Sequence, residues 1–296
     1  MLKVENVTKV YKVGTFGGRT LTAVDAVSFE VRAGEVVSLI GESGSGKSTI
    51  GKMILGLIPM TGGSITVDGV PVKPGKEYYR TVQGVFQDPF SCYNPVFKAD
   101  RVFRLIKDSY YPSVPETEWA DRVRAAVEDV RLNPREVLGK FPHQLSGGQL
   151  QRLLIARALL LDLKLLIADE ITSMLDASTR IDVLNLLAEL KGRGLSVLYV
   201  THDLSLGHYL AERTVVLRDG AVVEMGPTHQ VFDNPLHPYT RQLLSSVPRL
   251  HAPWEDAAPV ETCPYHERGA TGGLAEAGPG HFVACARLDE CRGEPT

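Results

Sequence analysis

Cysteine is scarce in this sequence, and the few cysteines are unevenly placed. The 296 residues include four of them, with Cys92 standing alone and the other three near the end of the sequence. Small secreted domains that depend on disulfides are far richer in cysteine. The sequence therefore excludes a disulfide scaffold.

An excess of basic residues is also lacking. Lysine and arginine number 32 against 35 aspartates and glutamates, so the formal net charge is −3. Domains that bind nucleic acid usually carry a basic surplus, and we therefore expect no nucleic-acid partner. The shares of hydrophobic residues (44%) and charged residues (23%) are those of a globular protein.

Long apolar runs are missing as well. No run approaches the ~18–20 residues that span a bilayer. The opening residues MLKVENVTKVYKV lack the continuous apolar core of a signal peptide. We expect the chain to stay in the cytoplasm unless a partner holds it at a membrane.

Apolar periodicity predicts an α/β fold. Strands are predicted at 36–40, 82–87, 164–169 and 195–201, and helices at 47–58, 146–161, 178–192 and 204–212. Because strands and helices alternate, we expect a parallel sheet covered by helices on both faces.

Three segments depart from this alternation. Residues 1–35 alternate apolar and polar positions, which predicts an N-terminal antiparallel β subdomain. Residues 98–140 show only helical spacing and predict an inserted helical subdomain, which we extend to about residue 161 with the following helix. Beyond Pro248 the composition turns to Ala, Gly, Pro, His and Cys, which predicts a loosely ordered C-terminal extension.

Two further segments contain the dipeptide Asp-Gly, which is typical of tight hairpin turns. Residues 64–72 predict a hairpin with Asp68-Gly69 at its turn, and residues 214–232 predict short strands with a turn at Asp219-Gly220.

The stretch GESGSGKST (41–49) lies between a predicted strand and a predicted helix. It fits the spacing G-x-x-x-x-G-K-[ST] of a phosphate-binding loop, whose glycines let backbone N–H groups wrap around an anion. The lysine adds charge at the terminal phosphates, and the next hydroxyl ligates Mg²⁺. The motif predicts a P-loop NTPase core. The predicted ATP-binding residues of the loop are Gly41, Glu42, Ser43, Gly44, Ser45, Gly46, Lys47, Ser48 and Thr49.

A second motif, LLIADE (165–170), is an apolar strand that ends in two acids. Asp169 at the strand end can hold Mg²⁺ directly or through water. Glu170 can then act as the general base that polarises the attacking water.

The segment LSGGQLQR (145–152) adds a third motif. Together with the phosphate loop, LLIADE and His202, it resembles the nucleotide-binding subunit of an ABC transporter. The resemblance implies an ABC ATPase domain over residues 1–250 and leaves a cysteine-containing tail over 251–296. Ser146 has the position of a helix N-cap, with Gln149 at capping-box spacing and two glycines between them.

The resemblance implies that two subunits pack head to tail with each ATP between them. The loop of one subunit and the signature of the other then contact the same nucleotide, and hydrolysis lets the pair open. The signature residues implied to act in trans are Ser146, Gly147, Gly148 and Gln149.

Further roles are implied by the same resemblance. Gln87 in VFQDP resembles the glutamine that senses Mg²⁺ and water, and His202 resembles the histidine that contacts the γ-phosphate and supports the general base. Asp176 ends the segment SMLD (173–176), which resembles the loop that links the two nucleotide sites. Tyr11 resembles the aromatic residue that stacks on adenine. The implied catalytic set is therefore Glu170, His202 and Gln87, with Mg²⁺ held by Ser48, Gln87 and Asp169.

Two positions depart from the family pattern. Ile171 stands where the family usually has proline, which fixes the shape of that loop, and we expect Glu170 to keep its role. SCYNP (91–95) replaces a more common serine-leucine version and bears on contact with a partner.

The segment NPLHPYTRQLLSSVP (234–248) resembles the oligopeptide and dipeptide importers of the family. This implies a peripheral subunit at the cytoplasmic face of the cell membrane. Its implied partners are two transmembrane permease subunits, an extracytoplasmic solute-binding protein and a second ABC ATPase subunit, with a heterodimer expected. Relatives with the same tail also handle nickel or oligosaccharides, so these substrates stay open.

The tail motifs CPYHERG (263–269) and GHFVAC (280–285) resemble a cysteine-rich element that binds an iron–sulfur cluster in some relatives. Gly269 stands where a second cysteine is expected, which leaves three thiolates where about four ligands are usual. His266 or His281 could complete a cluster or zinc site, and a remnant with free thiols is the alternative. The three cysteines are Cys263, Cys285 and Cys291.

Two other functions compete with transport. Chromosome-maintenance proteins separate the loop and signature by long coiled coils, and translation factors carry two cassettes, whereas this chain has one cassette and no heptads. A nucleotide-gated subunit that does not hydrolyse ATP is the second alternative, against which Glu170 and His202 argue.

Overall fold

The computed structural model describes residues 1–13, 18–245 and 273–284. The chain divides into two compact units, the first comprising Met1–Val72 and Leu198–Thr296 and the second comprising Lys73–Val197. No helix within the described residues has both the length and the apolar character needed to cross a bilayer.

The first unit contains the predicted antiparallel sheet. Its strands are β1 (Leu2–Val13), β2 (Arg19–Val31), β4 (Gly62–Val67) and β5 (Val70–Pro71). Their order in the sheet is β2-β1-β4-β5. The turn between β4 and β5 has positive φ at both Asp68 (51°) and Gly69 (76°), as a two-residue hairpin of type I′ requires. Both the antiparallel N-terminal sheet and this hairpin are confirmed.

A second sheet in the first unit positions the phosphate loop. Its strands include β3 (Val36–Ile40), β9 (Arg213–Arg218), β10 (Ala221–Pro227), β11 (Ala275–Gly278) and β12 (His281–Val283). Strands β3 and β9 are parallel, whereas β10 is antiparallel to both β9 and β12. The sheet is therefore mixed, because the Asp219-Gly220 turn reverses the chain after β9.

The described residues of the first unit form four α-helices. They are α1 (Lys47–Ile54), α8 (Leu204–Leu210), α9 (Thr228–Asp233) and α10 (Pro238–Ser245). Side chains from α8, α9 and α10 pack with β3, β9 and β10 in one buried cluster, whose members are Ile40, Leu204, Val216, Val223, Val231 and Tyr239.

Helix α1 is shorter than predicted and ends at Ile54. Gly56 takes a left-handed φ of 67°, the Gly56 N–H bonds the Met53 carbonyl, and the Leu57 N–H bonds the Lys52 carbonyl. This pair of bonds is a Schellman motif, which satisfies the last carbonyls of a helix and stops it.

The second unit contains the predicted helical block. Its helices are α2 (Lys76–Thr81), α3 (Arg101–Tyr110), α4 (Glu116–Asp129), α5 (Pro134–Val137), α6 (Gly147–Leu159) and α7 (Ala177–Gly192). Its strands β6 (Val82–Val85) and β7 (Leu165–Asp169) are parallel. Strand β8 (Ser196–Thr201) crosses the boundary between the units.

Two segments differ from the sequence predictions. Residues 228–233 form α9, although the sequence predicts short strands through 232. Strands β11 and β12 form a hairpin in the tail, which the sequence predicts to be loosely ordered. The hairpin is anchored by His281, which is buried and whose Nε2 lies 2.7 Å from Glu224 Oε1 on β10.

Candidate nucleotide-binding site

The phosphate loop follows β3, whose five residues are all buried. Gly41, Gly44 and Gly46 have φ values of 153°, 85° and 101°. A Cβ at Gly41 would lie 2.2 Å from the Leu217 carbonyl oxygen, and one at Gly46 would lie 2.5 Å from the Ala23 carbonyl oxygen. Glycine is therefore required at both ends of the loop by conformation and by space.

The side chain of Lys47 folds back over the loop. Its Nζ donates to the carbonyl oxygens of Gly41 and Glu42, at 2.7 Å each, and lies 3.5 Å from Ser45 Oγ. The residue is only 4% exposed. The ammonium is thus held against the backbone that the motif assigns to phosphate binding.

Helix α1 begins directly after Gly46, so Lys47, Ser48 and Thr49 form its first turn. The first N–H groups of a helix have no carbonyl partner within the helix and carry its positive dipole end. The first turn contains no acidic residue. This end of α1 suits a phosphate anion.

Two elements that the loop motif does not predict also contact the loop. The Gly220 N–H, in the β9–β10 turn, donates to the Ser45 carbonyl at 3.2 Å. The Glu42 N–H donates to the Tyr239 hydroxyl of α10 at 3.0 Å. The sequence marks the segment around Tyr239 as typical of a subfamily, but no pattern in it indicates contact with the loop.

Tyr11 and His202 also lie in the first unit. Tyr11 pairs with Leu21 across β1 and β2, two residues before Ala23, whose carbonyl approaches Gly46. The Tyr11 ring has the Lys9 ammonium 4.9 Å from its centroid. His202 is exposed and directly follows β8.

Gln87, Asp169 and Glu170 lie in the second unit. Val85 of β6 pairs with Ala168 of β7 in parallel. Asp169 is the last residue of β7, Glu170 follows it, and Gln87 follows the carboxyl end of β6. Gln87 is exposed, whereas Asp169 is only 7% exposed.

Glu170 has a left-handed φ of 50°, which is uncommon for a residue with a side chain. The Ser173 N–H and hydroxyl both donate to the Glu170 carbonyl, at 3.1 and 2.9 Å. Ile171 is 1% exposed. The turn after Glu170 is therefore held by the two bonds from Ser173 and by burial of Ile171.

The signature segment begins α6 with the expected capping box. The Gln149 N–H donates to Ser146 Oγ at 3.2 Å, and the Ser146 N–H donates to Gln149 Oε1 at 2.9 Å. A Cβ at Gly148 would lie 2.4 Å from Thr179 Cγ2. Glycine at this position therefore lets α6 approach the start of α7.

Asp176 is the N-cap of α7. Its carboxylate accepts from the Ser178 hydroxyl at 2.6 Å, from the Thr179 hydroxyl at 2.8 Å and from the Thr179 N–H at 3.0 Å. These bonds, led by the one from Ser178, hold the pKa of Asp176 well below its usual range. Thr179 thus contacts both Asp176 and the signature glycine.

This geometry agrees with the comparisons with known proteins. A family described as "ABC transporter" matches residues 24–173, which cover the loop, the signature and the LLIADE strand. The chain belongs to the ABC transporter family. The family described as "Oligopeptide/dipeptide transporter, C-terminal region" matches residues 223–273 of this ABC ATPase.

The ABC ATPase is similar over most of its length to known proteins and to proteins of solved structure. It is 38% identical over 281 residues to the oligopeptide transport ATP-binding protein OppF of Bacillus subtilis (strain 168), covering 91% of this chain and 92% of OppF. The dimeric structure of the ABC transporter cassette MJ0796 has a TM-score of 0.69 and 32% identity, covering 77% of this chain and 99% of the cassette. The Clostridium perfringens protein cbiO1 has a TM-score of 0.67 and 27% identity, covering 79% of this chain and 90% of cbiO1.

As a family member, the ABC ATPase uses ATP and Mg²⁺. Hydroxyl, amide and carboxylate oxygens of the kind that Ser48, Gln87 and Asp169 offer are ligands that Mg²⁺ prefers. Within the described residues, no cluster of three or more His, Cys, Asp or Glu side chains could hold a metal by itself.

The tail cysteines Cys263, Cys285 and Cys291 lie outside the described residues, as does His266. His281 is described, and one of its ring nitrogens contacts the buried Glu224 carboxylate.

Proposed function

We propose that this ABC ATPase powers import of oligopeptides or dipeptides through a membrane permease. The match of residues 223–273 to the oligopeptide and dipeptide transporter region carries the proposal, because these residues lie outside the range 24–173 that matches ABC transporters in general. The name of the Bacillus subtilis relative supports it. Nickel or oligosaccharides are the alternative substrates.

The first unit would bind the nucleotide. The N–H groups of the loop and of the first turn of α1 would hold the phosphates, with the Lys47 ammonium at the terminal ones. The Tyr11 ring would stack on adenine. Mg²⁺ bound with Ser48, Gln87 and Asp169 would neutralise charge that develops on the phosphate oxygens.

Glu170 would act as the general base. Its carboxylate accepts a proton from the water that attacks the γ-phosphorus, while the bond from that phosphorus to the bridging oxygen breaks to give ADP and inorganic phosphate. His202 would contact the γ-phosphate and orient Glu170. Gln87 would position the water.

A second subunit would complete each site. The N-terminus of α6, which is capped by Ser146 and begins with Gly147 and Gly148, would meet the γ-phosphate bound by its partner. Asp176 would connect the two sites through its contact with Thr179. We propose a heterodimer with another ABC ATPase chain, and the dimeric cassette MJ0796 supports pairing of such subunits.

The remaining partners would be two transmembrane permease subunits and an extracytoplasmic solute-binding protein. The ATPase pair would lie on the cytoplasmic face of the membrane as a peripheral component. An ATP turnover that drives opening and closing of the pair would then move the permease between its states.

The test is ATP hydrolysis by the full chain, assembled with its permease, the partner ATPase and the solute-binding protein in vesicles. We expect peptide to stimulate hydrolysis, and Glu170→Gln to abolish turnover at this chain's site while leaving ATP affinity within about threefold, because binding does not need the base. Stimulation by nickel or an oligosaccharide instead of peptide would refute the substrate assignment. Hydrolysis unchanged by Glu170→Gln would identify the chain as the subunit that gates without hydrolysing.

A metal site formed by the tail cysteines is a separate proposal that rests on sequence alone. Three thiolates with one histidine would give four ligands for a cluster or for zinc. Iron and zinc analysis of the purified chain tests it. About one equivalent per chain supports the site, and the absence of both metals leaves free thiols.

A further inference from the structure

The Tyr239 side chain reaches from α10 to the phosphate loop. Its hydroxyl accepts the Glu42 N–H at 3.0 Å. The residue is 3% exposed, and its ring belongs to the same buried cluster as Ile40, the last residue before the loop. A tyrosine hydroxyl is ordinarily protonated at physiological pH, and burial raises the pKa of Tyr239 further.

Both the backbone N–H and the backbone carbonyl of Glu42 make hydrogen bonds to side chains. The N–H bonds Tyr239, and the carbonyl accepts from Lys47 Nζ at 2.7 Å. Lys47 Nζ also bonds the Gly41 carbonyl at 2.7 Å. The Tyr239 hydroxyl therefore helps orient the two carbonyls that hold the Lys47 ammonium in place.

A second contact links Tyr239 to the other support of the loop. The Arg218 guanidinium lies 5.1 Å from the centroid of the Tyr239 ring. Arg218 ends β9 just before the turn in which the Gly220 N–H bonds the Ser45 carbonyl. The loop is thus supported at Glu42 and at Ser45 by elements that contact each other.

The chain segment that carries Tyr239 is itself anchored. The Glu224 carboxylate, which is fully buried, accepts the N–H groups of Leu236 and His237 at 2.9 Å each. The Tyr239 N–H donates to His237 Nδ1 at 3.0 Å. These bonds hold the backbone at the start of α10, and burial of the Tyr239 ring restricts the side chain that carries the hydroxyl.

We infer that Tyr239 is a positioning residue of the nucleotide site, through which the C-terminal region holds the phosphate loop in the shape that binds ATP. The inference rests on the proposed role of the loop in ATP binding. It gives the region after β10 a direct part in nucleotide affinity, beyond its use as a subfamily marker.

The test uses two single-hydroxyl variants of the full chain. Tyr239→Phe removes the acceptor of the Glu42 N–H and keeps the buried ring. Thr228→Val is the matched control. Thr228 lies in the same unit and is 4% exposed, and the substitution removes a buried hydroxyl that lies 3.0 Å from the Thr214 hydroxyl. ATP and ADP dissociation constants, the midpoint of thermal unfolding and hydrogen exchange of the Glu42 amide are measured for each.

We expect Tyr239→Phe to weaken ATP and ADP binding by about fivefold, the effect of losing one hydrogen bond, while Thr228→Val stays within twofold of wild type. Exchange of the Glu42 amide should quicken in Tyr239→Phe and not in the control. If the midpoint of thermal unfolding falls equally in both variants, the decrease reflects the removal of a buried hydroxyl in general and not the loss of the contact with Glu42.

Equal nucleotide affinity in the two variants would overturn the inference. So would a Glu42 amide that exchanges without protection in the wild-type chain, a result that needs no variant to fold. If the wild-type chain fails to bind ATP at all, the proposed function falls, which is a different outcome from loss of the role of Tyr239.

Discussion

At the scale of single residues, glycine is required where another chain segment passes close by. Gly41, Gly46 and Gly148 each face an atom that a Cβ would approach within 2.2–2.5 Å. The first two face backbone carbonyls, which cannot turn aside. Gly148 faces a threonine side chain that also bonds Asp176, so the signature and the loop at Asp176 are coupled by packing.

Gly148→Ala should destabilise the chain by about 1–3 kcal/mol, the usual effect of overpacking a tight contact. The added methyl group would displace Thr179 and disturb its bonds to Asp176. Urea unfolding measures the free energy of unfolding.

The control for this change is Gly192→Ala at the end of α7, where a Cβ meets nothing within 4 Å. That variant should be neutral or more stable by up to about 1 kcal/mol. Equal stability of the two variants would contradict the close approach of α6 and α7.

At the scale of elements, Glu224 connects three segments of the C-terminal region. Its carboxylate on β10 accepts from the backbone of Leu236 and His237 and contacts His281 on β12. A buried carboxylate with these partners organises α10 and the β11–β12 hairpin around β10.

Glu224→Gln should lower the free energy of unfolding by about 1–3 kcal/mol, because the amide nitrogen cannot accept the bonds that the second carboxylate oxygen accepts. Hydrogen exchange should quicken over residues 236–239. Glu276→Gln is the control, since Glu276 is exposed and its carboxylate accepts the Gly280 N–H at 3.0 Å. If hydrogen exchange over residues 236–239 is equally fast in Glu224→Gln and Glu276→Gln, Glu224 does not anchor this segment.

Local patterns were sufficient to predict most elements of the fold. The apolar strand before the loop, the Asp-Gly turns and the capping box at Ser146 all depend on neighbours in sequence. The β11–β12 hairpin could not be predicted in this way. Both of its strands are short, and β11 consists mostly of alanine and glycine. Its anchor is a contact of His281 with Glu224, 57 residues away.

At the scale of the whole molecule, the predicted site residues fall into two groups. The loop, Tyr11 and His202 lie in the first compact unit, and Gln87, Asp169, Glu170, the signature and Asp176 lie in the second. Motif spacing predicted the loop, Asp169 and Glu170 because phosphate chemistry requires particular side chains, and the family resemblance implied roles for the other residues. Neither could predict the proposed role of Tyr239, because that role depends on a hydrogen bond with Glu42, which lies 197 residues earlier in the sequence.

The central claim is that ATP binds to the loop at residues 41–49, and one comparison of affinities tests it most directly. Lys47→Ala removes the ammonium held by the Gly41 and Glu42 carbonyls, whereas Lys52→Ala removes an exposed ammonium from the same helix. Mg-ATP dissociation constants of the two variants and of the wild-type full chain are measured at one ionic strength. We predict that Lys47→Ala weakens binding at least about tenfold, as loss of a charge-assisted contact to phosphate implies, and that Lys52→Ala stays within twofold. Equal affinity in the two variants would contradict the claim.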